Sequence, residues 1–233
     1  MFPLNAPDRA ARLSSAARRV ILPLSLALVL EGCGGPGIIQ SATETLRLAW
    51  SGAPDVPLTR EKVDALPYAS IRARFGKGPR SFLVLGRYAG EELHWVSADR
   101  AVIATRHGRV VRTVGFGTDL RETRDVNPDP VATGLQHVTA GAEHLRLVDI
   151  RPGDHFQVPV HSAFTPEGLT TVEILGNRYD LLQVREQNRA DGLDWTFDNL
   201  YWVDAATGFV WRSLQHFAPG LPPVEIEILK EAA

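Results

Sequence analysis

Hydrophobic and polar residues alternate with a period of two through most of the chain after Pro67. This spacing places successive side chains on opposite faces of a strand, so it is typical of half-buried β-strands. The alternating segments follow one another closely, with Gly or Asp turn signals and no long amphipathic helix between them. The pattern predicts a mostly β fold, an antiparallel meander that forms a curved half-barrel or an open barrel.

The predicted strands cover most of the chain beyond Pro67. They are residues 68–75, 81–88, 92–97, 101–106, 110–114, 136–139, 144–149, 155–164, 169–175, 178–187, 193–204, 209–216 and 224–229. The sequences His107-Gly108 and 204–208 are typical of tight hairpin turns. Residues 119–134 are polar and contain two prolines, so they predict a long excursion or a division between two halves.

Helix signals are confined to the stretch before the strands. Ser41 and Glu44 have the spacing of a capping box, in which each side chain satisfies a backbone donor of the other residue, and apolar positions follow them. A second helical turn is predicted over residues 59–65 and ends before Pro67. The predicted fold therefore includes one or two short N-terminal helices.

The N-terminal segment has the layout of a bacterial secretory signal. Arg18 and Arg19 precede an apolar run, residues 20–30, in which Ser25 is the one hydroxyl residue, and the small residue Gly32 follows shortly after it. A transmembrane helix needs about 20 apolar residues, so this run is too short to span a membrane stably. We therefore expect the segment to be removed by cleavage.

The cysteine that follows Gly32 resembles the lipobox of bacterial lipoproteins. In that class of protein the thiol is diacylated, the chain is cut before the cysteine, and the new amino group is acylated as well. The alternative is an ordinary signal peptide with an incidental cysteine. The predicted organisation is a lipoprotein signal peptide at 1–32, a lipidated tether at 33–40 that begins with Cys33, and a single β-rich periplasmic domain at 41–233.

The net charge and the cysteine content of the chain limit the classes of partner and cofactor that we expect. The chain has a net charge of −2, whereas nucleic-acid binders usually present a basic patch or stripe, so we expect no nucleic-acid partner. Cys33 is the single cysteine, and its acylation would leave no thiol for a disulfide or for a Cys-based metal site. We expect no cofactor other than the covalent lipid on Cys33.

One strand carries the residue types that glycan binding or cleavage would need. Aromatic rings and a carboxylate occur together there, and the candidate glycan contacts are Trp195, Asp198, Tyr201 and Trp202. Asp194 and Asp198 would share one face of a strand, with Asp191 on the other, and paired acids beside aromatic rings are what glycoside cleavage requires. Trp195 and Phe197 would share the opposite face, which favours a half-buried strand with an aromatic core and no catalytic residue.

The sequence signals for other catalytic, metal-binding or ligand-binding sites are weaker. Four histidines fall in successive predicted strands: His137, His144, His155 and His161. Metal sites use His and carboxylate ligands, but the chain has no HxH or HExxH spacing, so we predict scattered histidines and no metal site. It has no GxSxG nucleophile motif either. Arg72 and Arg74 share one face of the first predicted strand, which is either solvated or able to meet an acidic glycan.

Two blocks of sequence carry a family resemblance. The first comprises residues 95–100 (WVSADR), 103–105 (IAT) and 108–116 (GRVVRTVGF), and the second 199–204 (NLYWVD), 207–208 (TG) and 210–215 (VWRSLQ). With the lipobox and the YASI sequence at 68–71, they make the chain resemble the YjbF/GfcB family of group 4 capsule polysaccharide lipoproteins. The resemblance implies a periplasmic protein anchored in the outer membrane and linked to exopolysaccharide or capsule production and export. It also implies a half-barrel sheet similar to those of lipoprotein carriers, and no assigned enzymatic activity.

Three functions are compatible with these observations. The first is a non-catalytic accessory factor that contacts the outer membrane through its lipid, the proteins of the polysaccharide export machinery, and the polysaccharide itself. The second is a half-barrel carrier or sensor that binds an acyl chain or a glycan in its concavity. The third is a periplasmic glycan hydrolase. Retention at the outer membrane is expected because Gly34, and not Asp, follows the acylated residue, which resembles the sorting rule of lipoproteins.

Overall fold

The computed structural model describes residues 58–153 and 155–232. The signal peptide, Cys33, the tether and the helix predicted after Ser41 lie outside the described residues, so those predictions stand as they are. Within the described part of the chain, no helix has the length and apolarity that crossing a membrane would require.

The described residues form one antiparallel sheet of twelve strands, which confirms the predicted fold class. The strands are β1 (Ser70–Phe75), β2 (Arg80–Ala89), β3 (Glu92–Val96), β4 (Val102–Arg106), β5 (Arg109–Val114), β6 (Asp119–Asp125), β7 (Ala142–Arg151), β8 (His155–Ile174), β9 (Asn177–Ala190), β10 (Trp195–Val203), β11 (Val210–Gln215) and β12 (Val224–Lys230). Their order in the sheet is β5-β4-β3-β2-β1-β12-β11-β10-β9-β8-β7-β6. Every neighbour is adjacent in sequence except β1 and β12, so the sheet is a meander whose first and last strands pair.

The sheet curls until its two edge strands, β5 and β6, face each other, and it is therefore nearly closed into a barrel shape. No backbone ladder joins these two strands; side chains do. Arg106 Nη2 donates to Asp125 Oδ2 over 2.7 Å. The hydroxyl of Thr113 donates to Asp119 and accepts from the backbone N–H of Leu120, each over 3.0 Å. Arg106 is the last residue of β4, so these contacts join the β4–β5 hairpin to β6; we call this line of side-chain contacts the seam.

Apolar side chains fill a large part of the enclosed side of the sheet. Its main cluster takes residues from both halves of the chain, including Trp95, Ile103, Ile150, Val160 and Val224. These positions alternate with polar ones along their strands, as the sequence pattern requires. The filled interior makes this region of the sheet a packed core and not an open cavity.

The hairpin of β8 and β9 is longer than its neighbours and covers the outer face of the sheet. Its distal residues Val172, Ile174 and Leu181 pack in a second apolar cluster with Trp202. The prediction of two separate strands at 155–164 and 169–175 was wrong, because β8 runs through both. A register shift between Pro166 and Gly168 breaks the alternation without ending the strand.

A short helix, α1 (Arg60–Asp64), packs on the same outer cluster. Thr59 caps its N-terminus, and Val63 is the residue that it buries. Arg60 Nη1 donates to the backbone oxygen of Leu229 over 2.6 Å, which fixes the helix against β12. The helical turn predicted over residues 59–65 is confirmed.

The segment between β6 and β7 folds over one end of the sheet. It contains a second short helix, α2 (Pro130–Thr133), and a 3-10 turn (Leu135–His137), and it buries Val131 and Leu135. We call residues 126–141 the cap. The strand predicted at 136–139 was wrong, and the polar excursion predicted over 119–134 begins with β6, which the prediction missed.

Candidate functional site

The four candidate glycan contacts lie on β10, and the structure separates them between the two faces of the strand. Tyr201 is completely buried inside the sheet, and Trp195 stacks on Phe197 with 4.0 Å between ring centroids. Trp202 is on the outer side and only 9% exposed, since the β8–β9 hairpin covers it. Asp198 remains half-exposed and accepts from Arg185 over 2.8 Å. Glycan contact by these residues stays a prediction, and Asp198 is the member best placed on the surface.

The aspartates considered for glycoside cleavage are held by cations or lie in solvent. Asp191 pairs with His161 over 2.9 Å and with Arg189 over 2.7 Å. Asp194 is exposed in the turn before β10. Asp198 is bound to Arg185, so the carboxylates of Asp191 and Asp198 both serve as acceptors in surface ion pairs.

The two arginines on one face of β1 also have partners. Arg72 pairs with Glu227 over 2.5 Å, and Arg74 pairs with Glu225 over 2.5 Å. Arg212 of β11 bonds to the same Glu225. The two glutamates are buried, so this face is a row of cross-strand ion pairs and not a free basic surface.

Inside the sheet, four charged side chains form what we call the interior ion cluster: Arg109, Arg146, Asp129 and Glu186. Arg109 Nε and Nη2 donate to the two carboxylate oxygens of Asp129 over 2.6 and 2.8 Å. Glu186 Oε1 lies 2.9 Å from Arg109 Nη1 and 3.0 Å from Arg146 Nη1. All four side chains are buried, and their two positive and two negative charges balance.

Burial by itself would raise the pKa of both acids, but the arginines outweigh it. The charges of Arg109 and Arg146, with a hydrogen bond from Asn199, lower the pKa of Glu186 to about 2. The charge and hydrogen bonds of Arg109 hold the pKa of Asp129 well below its usual range. Both carboxylates are therefore ionised at neutral pH, and each has its guanidinium partner.

The neutral partners of the cluster come from neighbouring strands. Glu186 Oε2 accepts from Asn199 Nδ2 over 2.8 Å and from the Tyr201 hydroxyl over 3.1 Å. Arg146 donates to Ser162 over 2.6 Å and to Asn188 over 3.0 Å. Because these groups come from β5, the cap and β7 to β10, the cluster fixes the mutual register of elements that are distant in sequence.

A group of metal-ligand type lies beside the interior ion cluster. Asp125 at the end of β6, Asp129 at the N-cap of α2 and His144 of β7 each place one ligand atom within 4.8 Å of the others. We call these three residues the His144 group. No local spacing in the sequence reveals this group, because its residues come from three elements. The available sequence signal was the position of His144, which is in phase with the other buried residues of β7, where alternate residues are buried.

Two surface concavities are further candidate sites. A groove of 950 Å³ crosses the outer face of β7 to β10; its lining includes Glu143, His161, Gln187, Arg189, Thr196 and Asp198. We call it the β7–β10 groove. A pocket of 750 Å³, the rim pocket, lies beside the cap; its lining includes Tyr88, Leu93, Trp95, His107, Gln136 and Phe209. Most of the residues that line the groove have polar side chains, whereas the pocket combines aromatic rings with polar groups.

Comparison with known sequences gives matches over nearly the whole chain. A family model described as group 4 capsule polysaccharide lipoprotein GfcB/YjbF matches residues 43–229. The chain is 32% identical to "Uncharacterized lipoprotein GfcB" of Escherichia coli K12 over 92% of this chain and 99% of that protein. It is 29% identical to "Uncharacterized lipoprotein YjbF" of the same organism over 89% of this chain and 95% of that protein.

A solved structure has the same fold. The crystal structure of the hypothetical lipoprotein YmcC from Escherichia coli K12 is similar with a TM-score of 0.68 and 30% sequence identity. The similarity covers 76% of this chain and 90% of that chain. None of the names of these relatives indicates a catalytic function.

Proposed function

The chain belongs to the family of group 4 capsule polysaccharide lipoproteins, and from that premise we propose that it is a non-catalytic accessory factor in exopolysaccharide or capsule production or export. The observation that carries the proposal is the family match over residues 43–229, which includes all of the described strands except Lys230, the last residue of β12. The proposed location is the periplasmic face of the outer membrane, with the lipid on Cys33 as the anchor. The proposed partners are the export machinery and the polymer.

A non-catalytic role is supported by the state of the acids. Asp191 is bound to His161 and Arg189, and Asp198 is bound to Arg185. A glycosidase needs one carboxyl group that can give its proton to the leaving oxygen and a second acid at a fixed distance from it. Both oxygens of Asp191 and one oxygen of Asp198 are engaged by these partners, so a substrate would have to displace them to reach either carboxylate.

The β7–β10 groove is the surface that we propose for the polymer. Its side chains include planar amides, carboxylates, a guanidinium and an imidazole, which can exchange paired hydrogen bonds with neighbouring hydroxyl groups. Asp198 lines this groove, so the proposal retains one of the residues singled out by the sequence. Asp198→Ala should weaken retention of the polymer, and Asp180→Ala, on the distal part of the β8–β9 hairpin, is the matched control.

A second candidate function is that of a carrier or sensor with its ligand in the rim pocket. The observation that favours it is the size of the pocket, which falls within the range of 300–1,000 Å³ that is common for small-molecule sites. The aromatic rings of Tyr88, Trp95 and Phe209 would suit either an acyl chain or a sugar ring. Native mass spectrometry of the protein released from membranes would show a co-purifying ligand if this function holds.

The proposed function is tested by complementation of a strain that lacks the gene. Wild-type protein should restore cell-surface polysaccharide, whereas Cys33→Ser should fail to incorporate labelled fatty acid, leave the outer-membrane fraction and restore less polymer. Unchanged polymer in the deletion strain would refute the accessory role. Shortening of purified polymer by the protein alone would refute the non-catalytic assignment and favour the hydrolase.

A further inference from the structure

We propose that the His144 group is a binding site for one divalent first-row transition metal ion, with Zn²⁺ as the best fit. The ligands would be His144 and Asp125 directly, with Asp129 third, either directly or through a bound water. This inference rests on the geometry of the group and does not depend on the proposed function.

The first argument is the unsatisfied state of His144. Its side chain is completely buried, yet neither ring nitrogen makes a hydrogen bond of acceptable geometry within the described part of the chain. Asp125 Oδ1 is likewise buried without a hydrogen-bond donor. Buried polar atoms are nearly always satisfied in folded proteins, and an unsatisfied cluster commonly marks an ion or a water.

The second argument is the distance between these two ligand atoms. His144 Nε2 lies 3.2 Å from Asp125 Oδ1, close enough for an ion pair but without the alignment of a hydrogen bond. Zinc binds nitrogen and oxygen at about 2.0–2.2 Å in a tetrahedron, which separates neighbouring ligand atoms by about 3.3–3.6 Å. The two atoms are therefore spaced as two corners of such a site would be.

The third argument is the arrangement of the surrounding donors. Arg106 holds Asp125 through Oδ2, which leaves Oδ1 available. Arg109 and the backbone N–H of Val131 hold Asp129, whose Oδ2 accepts only one hydrogen bond and retains a lone pair. Ligating carboxylates are usually held by hydrogen bonds of this kind. The two guanidinium groups also offset the carboxylate charges, so we expect weaker binding than at a four-ligand structural zinc site.

The choice of metal follows from the ligands and from access. Imidazole with carboxylate oxygen suits zinc and its first-row neighbours, whereas sites for Ca²⁺ and Mg²⁺ are built from oxygen alone. Asp125 is 27% exposed, so an ion can approach the group from solvent at this carboxylate. The remaining coordination positions would be filled by water.

The test is a metal titration of the purified full chain without an affinity tag, after treatment with EDTA. Calorimetry with ZnCl₂ should give one ion per chain, and Co²⁺ should give a visible absorption spectrum that excess Zn²⁺ abolishes. His144→Gln and Asp125→Asn should each lower the affinity by about tenfold or more. Zn²⁺ should raise the melting temperature of the wild type and not that of these variants.

His161→Gln is the matched control, because His161 lies on the adjacent strand and also pairs with an aspartate, but it is on the outer face. It should retain wild-type affinity. Asp125→Asn keeps the test valid if the buried His144→Gln variant does not fold. Asp125 is partly exposed, and the amide oxygen of the introduced asparagine can still accept from Arg106. Absence of binding to the wild type, undiminished binding in both group variants, or loss confined to His161→Gln would each overturn the proposal.

Discussion

Glu186→Gln is the substitution whose consequence the structure defines best. Glu186 is completely buried and is the shared partner of Arg109 and Arg146. Glutamine has nearly the same shape, and its one carbonyl oxygen can still accept from Asn199 and Tyr201. The change removes the charge and replaces the oxygen that accepts from Arg146 with an NH2 group, which cannot accept. It leaves two buried guanidinium groups with one carboxylate, Asp129, between them.

The loss of unfolding free energy expected from Glu186→Gln can be estimated in two ways that agree. A pKa lowered from an ordinary 4.5 to about 2 corresponds to about 3 kcal/mol of stabilisation in the ionised state, at 1.36 kcal/mol for each pKa unit. Removing one partner of a buried ion pair typically costs about 3–5 kcal/mol, because a buried charge is left uncompensated. We therefore expect Glu186→Gln to lower the free energy of unfolding by about 3–5 kcal/mol.

The pH dependence of unfolding provides an independent check. The pKa of Glu186 is lower in the folded state than in the unfolded state, so its contribution is present above the unfolded pKa and is lost as the pH falls towards the folded value. For Glu186 this window runs from 4.5 down to about 2. The difference in unfolding free energy between wild type and variant should therefore be constant near neutrality and shrink within that window.

The assay is urea unfolding followed by circular dichroism and tryptophan fluorescence at several pH values. Glu167→Gln is the matched control, because Glu167 pairs with Arg185 and Gln183 on the exposed side of the same hairpin. A surface pair of this kind is worth about 0–1 kcal/mol. If Glu186→Gln cost no more than the control, or if its effect persisted unchanged below the acid window, the assignment of Glu186 as a buried ionised partner would be wrong.

Two further substitutions test the cap and the turn beneath it. Leu135→Ala should lower the unfolding free energy by about 2–5 kcal/mol because Leu135 is completely buried in the cap; a loss below about 1 kcal/mol in urea unfolding would show that the cap is not packed as described. Gly108→Ala should destabilise more than Gly90→Ala, since both have positive φ but a Cβ at Gly108 would lie 2.6 Å from Val210, whereas Gly90 faces open space. Equal melting temperatures for the two glycine variants would contradict that difference.

The alternation of residues predicted most of the fold because the meander is made of local pairings. It failed where the alternation itself is interrupted. In β6 the buried residues are Leu120 and Thr123, three positions apart, because a register shift lies between Leu120 and Glu122. The strand therefore reads as a polar loop in the sequence. In β8 a similar shift made one strand look like two.

The interior ion cluster was not predicted because its members are remote in sequence. Arg109 and Glu186 are 77 positions apart, and no local spacing connects them. A weaker signal was available in the strand pattern. Glu186 is in phase with the buried Val184, and Arg146 is in phase with the buried Val148. A charged residue on the buried phase of a strand calls for a charged partner on another strand, although the sequence does not say which one.

The same geometry indicates what the buried charges do for the fold. A meander specifies the pairing of neighbours but not the closure of its edges, and the seam between β5 and β6 has no backbone ladder. Arg109 of β5 reaches the cap through Asp129 and the opposite wall through Glu186. Loss of Glu186 should therefore loosen the seam before it disturbs the central pairing of β1 with β12. Relative to wild type, hydrogen exchange in the Glu186→Gln protein should increase more in β5 and β6 than in β1 and β12. A uniform increase across all four strands would mean that the cluster stabilises the sheet as a whole and not its closure.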